Sequence, residues 1–193
     1  MANKNIPQIL AKYRLQLALI TIILILLLNF FVLKNSPFSP IDGSVGSIGM
    51  IIGVLGLFLR SWAAGVINKN KILTTIGPYH LFRHPLYIGS LLIAVGFVIL
   101  LNSIYLWIIL FFFMFFVYLP KIQAEEKKLK ILFGNQWDDF IKTTGVFFPK
   151  KLSIKKLFCK WSLKHWIHHT EYNAYLAVIV AFVVIHFWSV YNY

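Results

Sequence analysis

Thirteen residues, Gly77 to Gly89 (GPYHLFRHPLYIG), gather Tyr79, His80, Arg83, His84 and Tyr87 between two long apolar runs. Polar and ionisable groups are costly at membrane depth, so a cluster at its edge marks a candidate site. Pro85 stands where a helix would begin, a position that favours proline. The free N–H groups and positive dipole end of that helix would suit an anionic group beside Arg83 and His84. A second group follows at Glu125 and Glu126, with Lys121 four residues earlier on the same helical face. An adjacent acidic pair is ordinarily a solvated one. Here the two apolar segments between the groups read as a hairpin, which brings the carboxylates beside Arg83 and His84.

The elements that must position these groups are membrane helices. The chain has 193 residues, 59% hydrophobic and 13% charged, against about 25% charged in soluble domains. The expected fold is all-α, a polytopic membrane bundle of about five spans forming one domain over 1–193. Its core is 44–150, followed by a basic amphipathic interfacial segment at 151–172 and a last span in 173–193. The spans are expected at Leu15–Leu33, Ser44–Ile67, Leu86–Leu101, Ile104–Leu119 and Ala174–Val190. The first could also be read as a secretory signal, but its apolar run is long for one and no small-residue cleavage site follows. Residues 34–43 are a Pro/Ser/Gly loop, Asn102-Ser103 a tight turn, and 125–133 a continuation of the fourth helix that Gly134 stops.

The formal charge is +13. In a soluble chain that would suggest nucleic acid; in this one it fits cationic loops facing anionic membrane lipids, and no nucleic acid partner is expected. Of the 19 Lys and Arg residues, 17 fall in the segments before the first span, between the second and third, and between the fourth and fifth. That bias places the N-terminus and both polar groups on the cytoplasmic side of a bacterial inner membrane. Cys159 is the single cysteine, which excludes an intrachain disulfide. Gly49 and Gly53 are spaced for close helix approach. Arg60 either snorkels to the interface or turns into a pocket. His186 is expected to bond to a neighbouring helix. His165, His168, His169 and Glu171 have a spacing compatible with metal, but beside Trp161 and Trp166 they read as a wet amphipathic interface, and no metal is expected.

GPYHLFRHPLYIGS, then EEKKLKILFG with Trp137 and Phe140, then FFP at 147–149, resembles the isoprenylcysteine carboxyl methyltransferase family and its phospholipid methyltransferase relatives. The resemblance covers about residues 55–150. It implies an integral membrane enzyme that uses S-adenosyl-L-methionine. By position it implies a cofactor site of Lys71, Ile72, Leu73, Thr74, Tyr79, His84, Pro85, Leu86, Tyr87 and Glu125, and a substrate contact at Lys121. The family usually has arginine at that last position, and two tyrosines where Trp137 and Phe140 stand here.

The residue chemistry is compatible with this. A ligand ammonium suits Glu125, a carboxylate suits the helix start near His84 and Lys71, and a sulfonium suits the face of Tyr79 or Tyr87. Arg83 and Glu126 are the candidate catalytic groups. A carboxylate acceptor needs a positive partner such as Lys121 or Arg83. An amine acceptor needs a base such as Glu126 or His84. The expected activity is methylation of a lipid-like or isoprenoid-like molecule, foremost carboxyl O-methylation, with N-methylation of an amine lipid as the alternative. A non-catalytic scaffold or small transporter is the reading from another class; the polar groups at one edge and the lack of repeats disfavour a transporter.

Overall fold

The computed structural model describes residues 36–68, 72–150 and 153–191. The expected first span and Lys71 lie outside these. The described chain is helical: α1 Ser44–Val66, α2 Pro78–Leu81, α3 Pro85–Leu100, α4 Ile104–Phe133, α5 Asn135–Thr143, α6 Ile154–Leu157, α7 Leu163–His168 and α8 Glu171–Tyr191. Helices α1, α4 and α8 are long and apolar enough to cross a membrane. Helix α3 is shorter, 16 residues, or about 24 Å at 1.5 Å per residue. This is a helical membrane bundle.

Helices α1 and α3 touch backbone to backbone because neither has a side chain at the crossing. A Cβ on Gly96 would lie 2.6 Å from the Gly49 carbonyl oxygen and 2.8 Å from Gly53 N, and one on Gly56 would lie 2.6 Å from the Gly89 carbonyl oxygen. The small residues noted at 49 and 53 therefore do what their spacing suggests. Helix α8 packs over the same crossing, with the Phe182 ring on Gly53 and 5.2 Å from the Phe97 ring.

Asn102, at φ 48°, turns α3 into α4 as the hairpin requires. Helix α4 is apolar and largely exposed through Phe116, then polar beyond Pro120. Proline offers no N–H and its ring crowds the carbonyl four residues back. Directly before it, Met114–Tyr118 form a π-turn, which widens the helix where that strain would fall. Gly134, at φ 51°, ends α4 and starts α5.

The segment after 153 is not one continuous helix. It breaks into α6 and α7, and its backbone is tied to the bundle. Gly77 N–H donates to the Lys156 carbonyl at 2.8 Å, and Ser162 N–H donates to that of Gly65 at 2.9 Å. The indole of Trp161 lies across bare Gly65 and donates to the Ser61 carbonyl at 3.0 Å. Ile154, Phe158 and Leu163 nevertheless stay exposed. His186 finds its partner in a loop rather than a helix: its Nδ1 lies 3.1 Å from Ser39 Oγ, and the Ser39 hydroxyl donates to Asp42 at 2.9 Å. Pro37 and Pro40, both fully buried, press that loop onto the helix ends and bring Ser39 within reach.

Candidate functional site

The two polar groups meet. Helix α3 starts at Pro85 with His84 as its N-cap residue, and the hairpin returns α4 alongside it. Glu126 Oε1 accepts from Arg83 Nη1 at 2.8 Å and lies 3.2 Å from His84 Nε2. One carboxylate oxygen therefore holds two of the three basic residues of the first group, Arg83 and His84. A carboxylate only accepts, so a neutral His84 donates from Nε2. Arg83 is fixed from behind as well: its backbone N–H donates to the Gly145 carbonyl at 2.8 Å, and Phe82 forms an isolated parallel bridge with Gly145. Helix α5 makes that return possible, anchored by the buried and mutually packed Trp137 and Phe140.

Tyr87 lies one turn into α3. Its ring stands edge-on to His84 at 5.8 Å and to Tyr118 at 5.3 Å. The Lys121 ammonium sits 5.3 Å from the Tyr87 ring centre. Tyr118 Oη donates weakly to the Tyr87 carbonyl at 3.4 Å. Pro85 is buried at the helix start and Leu86 is half-buried beside it. The Leu86 carbonyl accepts from Ser90 Oγ at 3.0 Å.

Among the described residues, the buried Tyr79 Oη and Arg83 Nε have no hydrogen-bond partner. Burial pushes the Tyr79 phenol well above its ordinary range, and the negative charges of Glu125 and Glu171 push it further. It is thus a protonated donor within reach of carboxylate charge, with no bond among the described residues. Orphaned buried polar groups are rare, and where they occur they call for an explanation such as an absent ligand. Glu125 is half-buried beside them. A ligand with an ammonium, a carboxylate and further acceptors would satisfy these groups. The residues therefore fit S-adenosylmethionine.

Other expected contacts are not assembled here. Ile72 is exposed, Leu73 is half-buried, and Thr74 Oγ1 accepts from Asn68 N–H at 3.3 Å. Among the described residues none of the three makes a polar contact with the Arg83–Glu126–His84 group. Sequence reasoning gave no role to Ser90, the last residue of GPYHLFRHPLYIGS, or to Tyr118 and Gly145, which lie outside the quoted motifs. Arg60 does not snorkel to the interface but turns toward Glu171 and Ser90. Its Nε and Nη2 pair with Glu171 at 3.1 and 2.8 Å, and its Nη1 donates to Ser90 Oγ. Glu171 so leaves the histidine group with which its spacing had associated it. Among the described residues no three His, Cys, Asp or Glu side chains gather to hold a metal ion.

Two imidazoles make the site's stability pH-dependent. Burial lowers the His84 pKa from its ordinary 6.5; its bond to Glu126 and the charges of Glu125 and Glu126 oppose this without overcoming it, and Arg83 adds to the lowering. His80 is lowered by burial and by Lys156, and its Nε2 must be bare to accept the Ser153 N–H at 3.1 Å. With folded pKa values below the unfolded ones, the unfolded chain binds more protons, so stability is complete above about pH 6.5 and falls as pH drops toward the folded values. The thermal midpoint in detergent is expected to fall between about pH 7.5 and pH 5.5. A His80→Gln/His84→Asn double variant should flatten that slope. A wild-type midpoint that stays level or rises on acidification would contradict this assignment.

Residues 47–136, which span most of α1 and all of α2, α3 and α4, match the phospholipid methyltransferase family. The chain is 29% identical over 75% of its length to the cobalt-zinc-cadmium resistance protein CzcN of Cupriavidus metallidurans, covering 64% of that protein. It is 34% identical over 55% of its length to the nickel-cobalt-cadmium resistance protein NccN of Alcaligenes xylosoxydans xylosoxydans, covering 49% of it. The chain thus spans less than two thirds of either relative. No solved structure matches it significantly.

Proposed function

We propose, from the premise that residues 47–136 are a membrane methyltransferase segment of the phospholipid methyltransferase kind, that this chain transfers a methyl group from S-adenosylmethionine to a lipid-like acceptor at the cytoplasmic membrane face. The observation that carries the reading is the Arg83–Glu126–His84 node beside the unpartnered phenol of Tyr79 and the carboxylate of Glu125.

When bound, the donor supplies an electrophilic methyl carbon on a positively charged sulfur. The residues of this chain hold and orient. Glu125 takes the ammonium of the donor, the start of α3 takes its carboxylate, and the Tyr79 phenol donates to a further acceptor atom. The rings of Tyr87 and Tyr118 close one side and keep water out, which favours in-line transfer between positioned partners. Lys121, over the Tyr87 ring, stands where it can meet the acceptor.

Carboxyl O-methylation is the favoured reaction. A carboxylate acceptor is already ionised and needs no base. An amine acceptor must first lose a proton, and the two base candidates, Glu126 and His84, are bonded to each other, with Glu126 also accepting from Arg83. The family description favours N-methylation of a phospholipid amine as the second reading. Isothermal calorimetry with S-adenosylmethionine and S-adenosylhomocysteine tests the donor site. Glu125→Ala is expected to weaken both about tenfold or more, since a hydrogen bond between charged groups contributes about 1.5–3 kcal/mol. Unchanged binding would remove Glu125 from the site. Labelling membranes with methyl-radiolabelled donor separates the reactions: a methyl ester releases its label as methanol in mild alkali, whereas an N-methylated lipid keeps it.

A further inference from the structure

We infer that Arg60 is an oxyanion receptor for the acceptor lipid, held in orientation by Glu171. This deepens the methyl-transfer reading and rests on it only for the identity of the bound molecule as acceptor.

The argument begins with donor supply. A guanidinium has five N–H groups. In Arg60, Nε and one N–H of Nη2 go to the two oxygens of Glu171, and one N–H of Nη1 goes to Ser90. One N–H on each Nη remains without a partner among the described residues. The cation is 23% exposed at its side chain, while its counter-ion is 6% exposed. Part of the Arg60 side chain is therefore reachable from outside the pair. A charge in an apolar setting with unused donors favours an oxyanion, which two parallel N–H groups can grip at once.

The position suits an acceptor rather than the donor. The stem of Arg60 lies on the bare backbone of Gly89, where a Cβ would meet its Cγ at 2.5 Å. Ser90, its partner, is six residues beyond His84 in α3, about 9 Å deeper along the helix at 1.5 Å per residue. The donor groups stand at the polar start of α3; Arg60 stands further along, toward the apolar part of the bundle. Glu171 is the first residue of α8, beyond the family-matched segment, so the last helix contributes the orienting group. The plainer role for such a pair is to clamp α8 to α1, and the experiment must separate the two.

The test uses the full chain in detergent micelles and native mass spectrometry with three single-chain probes: oleate, oleoyl lysophosphatidate and neutral oleyl alcohol. The wild type is expected to retain at least one acid over the alcohol, and which acid tells a carboxylate from a phosphate. Arg60→Lys keeps the charge and a bond to Glu171 but loses the fork, and is expected to lower acid retention about tenfold. Its affinity for S-adenosylhomocysteine should match the wild type, with the thermal midpoint lowered modestly by the lost bond to Glu171. Glu171→Gln leaves one acceptor oxygen for the fork and sets an amide NH2 against the other guanidinium N–H, so with its orientation loosened Arg60 should retain the acid less well than in the wild type. Equal retention of acid and alcohol, an Arg60→Lys variant that retains acid like the wild type, or a Glu171→Gln variant that does so would each overturn the proposal. So would Arg60→Lys losing thermal stability and donor binding together, because the pair would then be a clamp. A wild type that holds acid through Arg60 yet binds no methyl donor would leave the receptor standing and refute the methyl-transfer reading.

Discussion

Glu126→Ala is expected to reduce methyl transfer by about 100-fold or more, since misplacing a positioning group by an ångström costs about that much. The loss follows from how much one atom holds. Glu126 Oε1 is the shared acceptor for Arg83 Nη1 and His84 Nε2, with Arg83 14% and Glu126 26% exposed. Removing it leaves a guanidinium and an imidazole N–H side by side with no acceptor. The Nε of Arg83 already lacks a partner, so that side chain would keep few bonds and turn outward. The expected loss of stability is about 2–3 kcal/mol, the range for charged hydrogen bonds broken from one side at a partly buried position. Glu126→Gln should lie between, because an amide oxygen still accepts one of the two donors. Turnover of labelled donor and thermal midpoint, measured on both variants, check the expectation. Full activity in Glu126→Ala would show that the node is not part of the reacting site.

The second large effect belongs to the α1–α3 crossing. Gly96→Val is expected to destabilise the fold by about 3 kcal/mol, at the upper end of overpacking penalties. The added Cβ would sit 2.6 Å from the Gly49 carbonyl and 2.8 Å from the Gly53 nitrogen. Both are backbone atoms inside a helix, so neither can swing aside as a side-chain tip could. The helices must separate, and Gly56 and Gly89 would lose their contact further along. Gly43→Ala is the contrast: a Cβ there meets nothing within 4 Å, and its cost comes only from its φ of 90°. Thermal melts of the two variants should differ clearly, with Gly96→Val much the lower. Similar midpoints would mean that the crossing is looser than these distances imply.

The legible part of the site was local. Pro85 at a helix start, the basic and aromatic residues packed around it, and an acidic pair one hairpin away are features that spacing alone conveys. The hairpin itself was readable from Asn102-Ser103 between two apolar runs, and Gly134 as a stop from its place after a helical run. Partnerships across distant elements were not readable. Arg60 and Glu171 are 111 positions apart, and nothing in either neighbourhood identifies the other. Gly49 and Gly53 signalled close approach without naming Gly96 as the surface approached. His186 bonds to Ser39 because buried prolines fold a loop back on the helix ends, which depends on three-dimensional packing that periodicity does not encode. Gly145 contributes only backbone to Arg83, and a backbone carbonyl has no signature in the residue type.

The π-turn at Met114–Tyr118 bears on how such a helix can change. A turn of this width holds one more residue than an ordinary one while leaving the helix on either side in its own phase. Deleting a single residue within it would restore a regular turn without rotating Lys121, Glu125 and Glu126 away from α3. The same deletion a few residues later would swing the acidic pair about 100° around the axis, at 3.6 residues per turn. The apolar half of α4 is therefore free to shorten by one position at this place, with the aim of the carboxylates preserved.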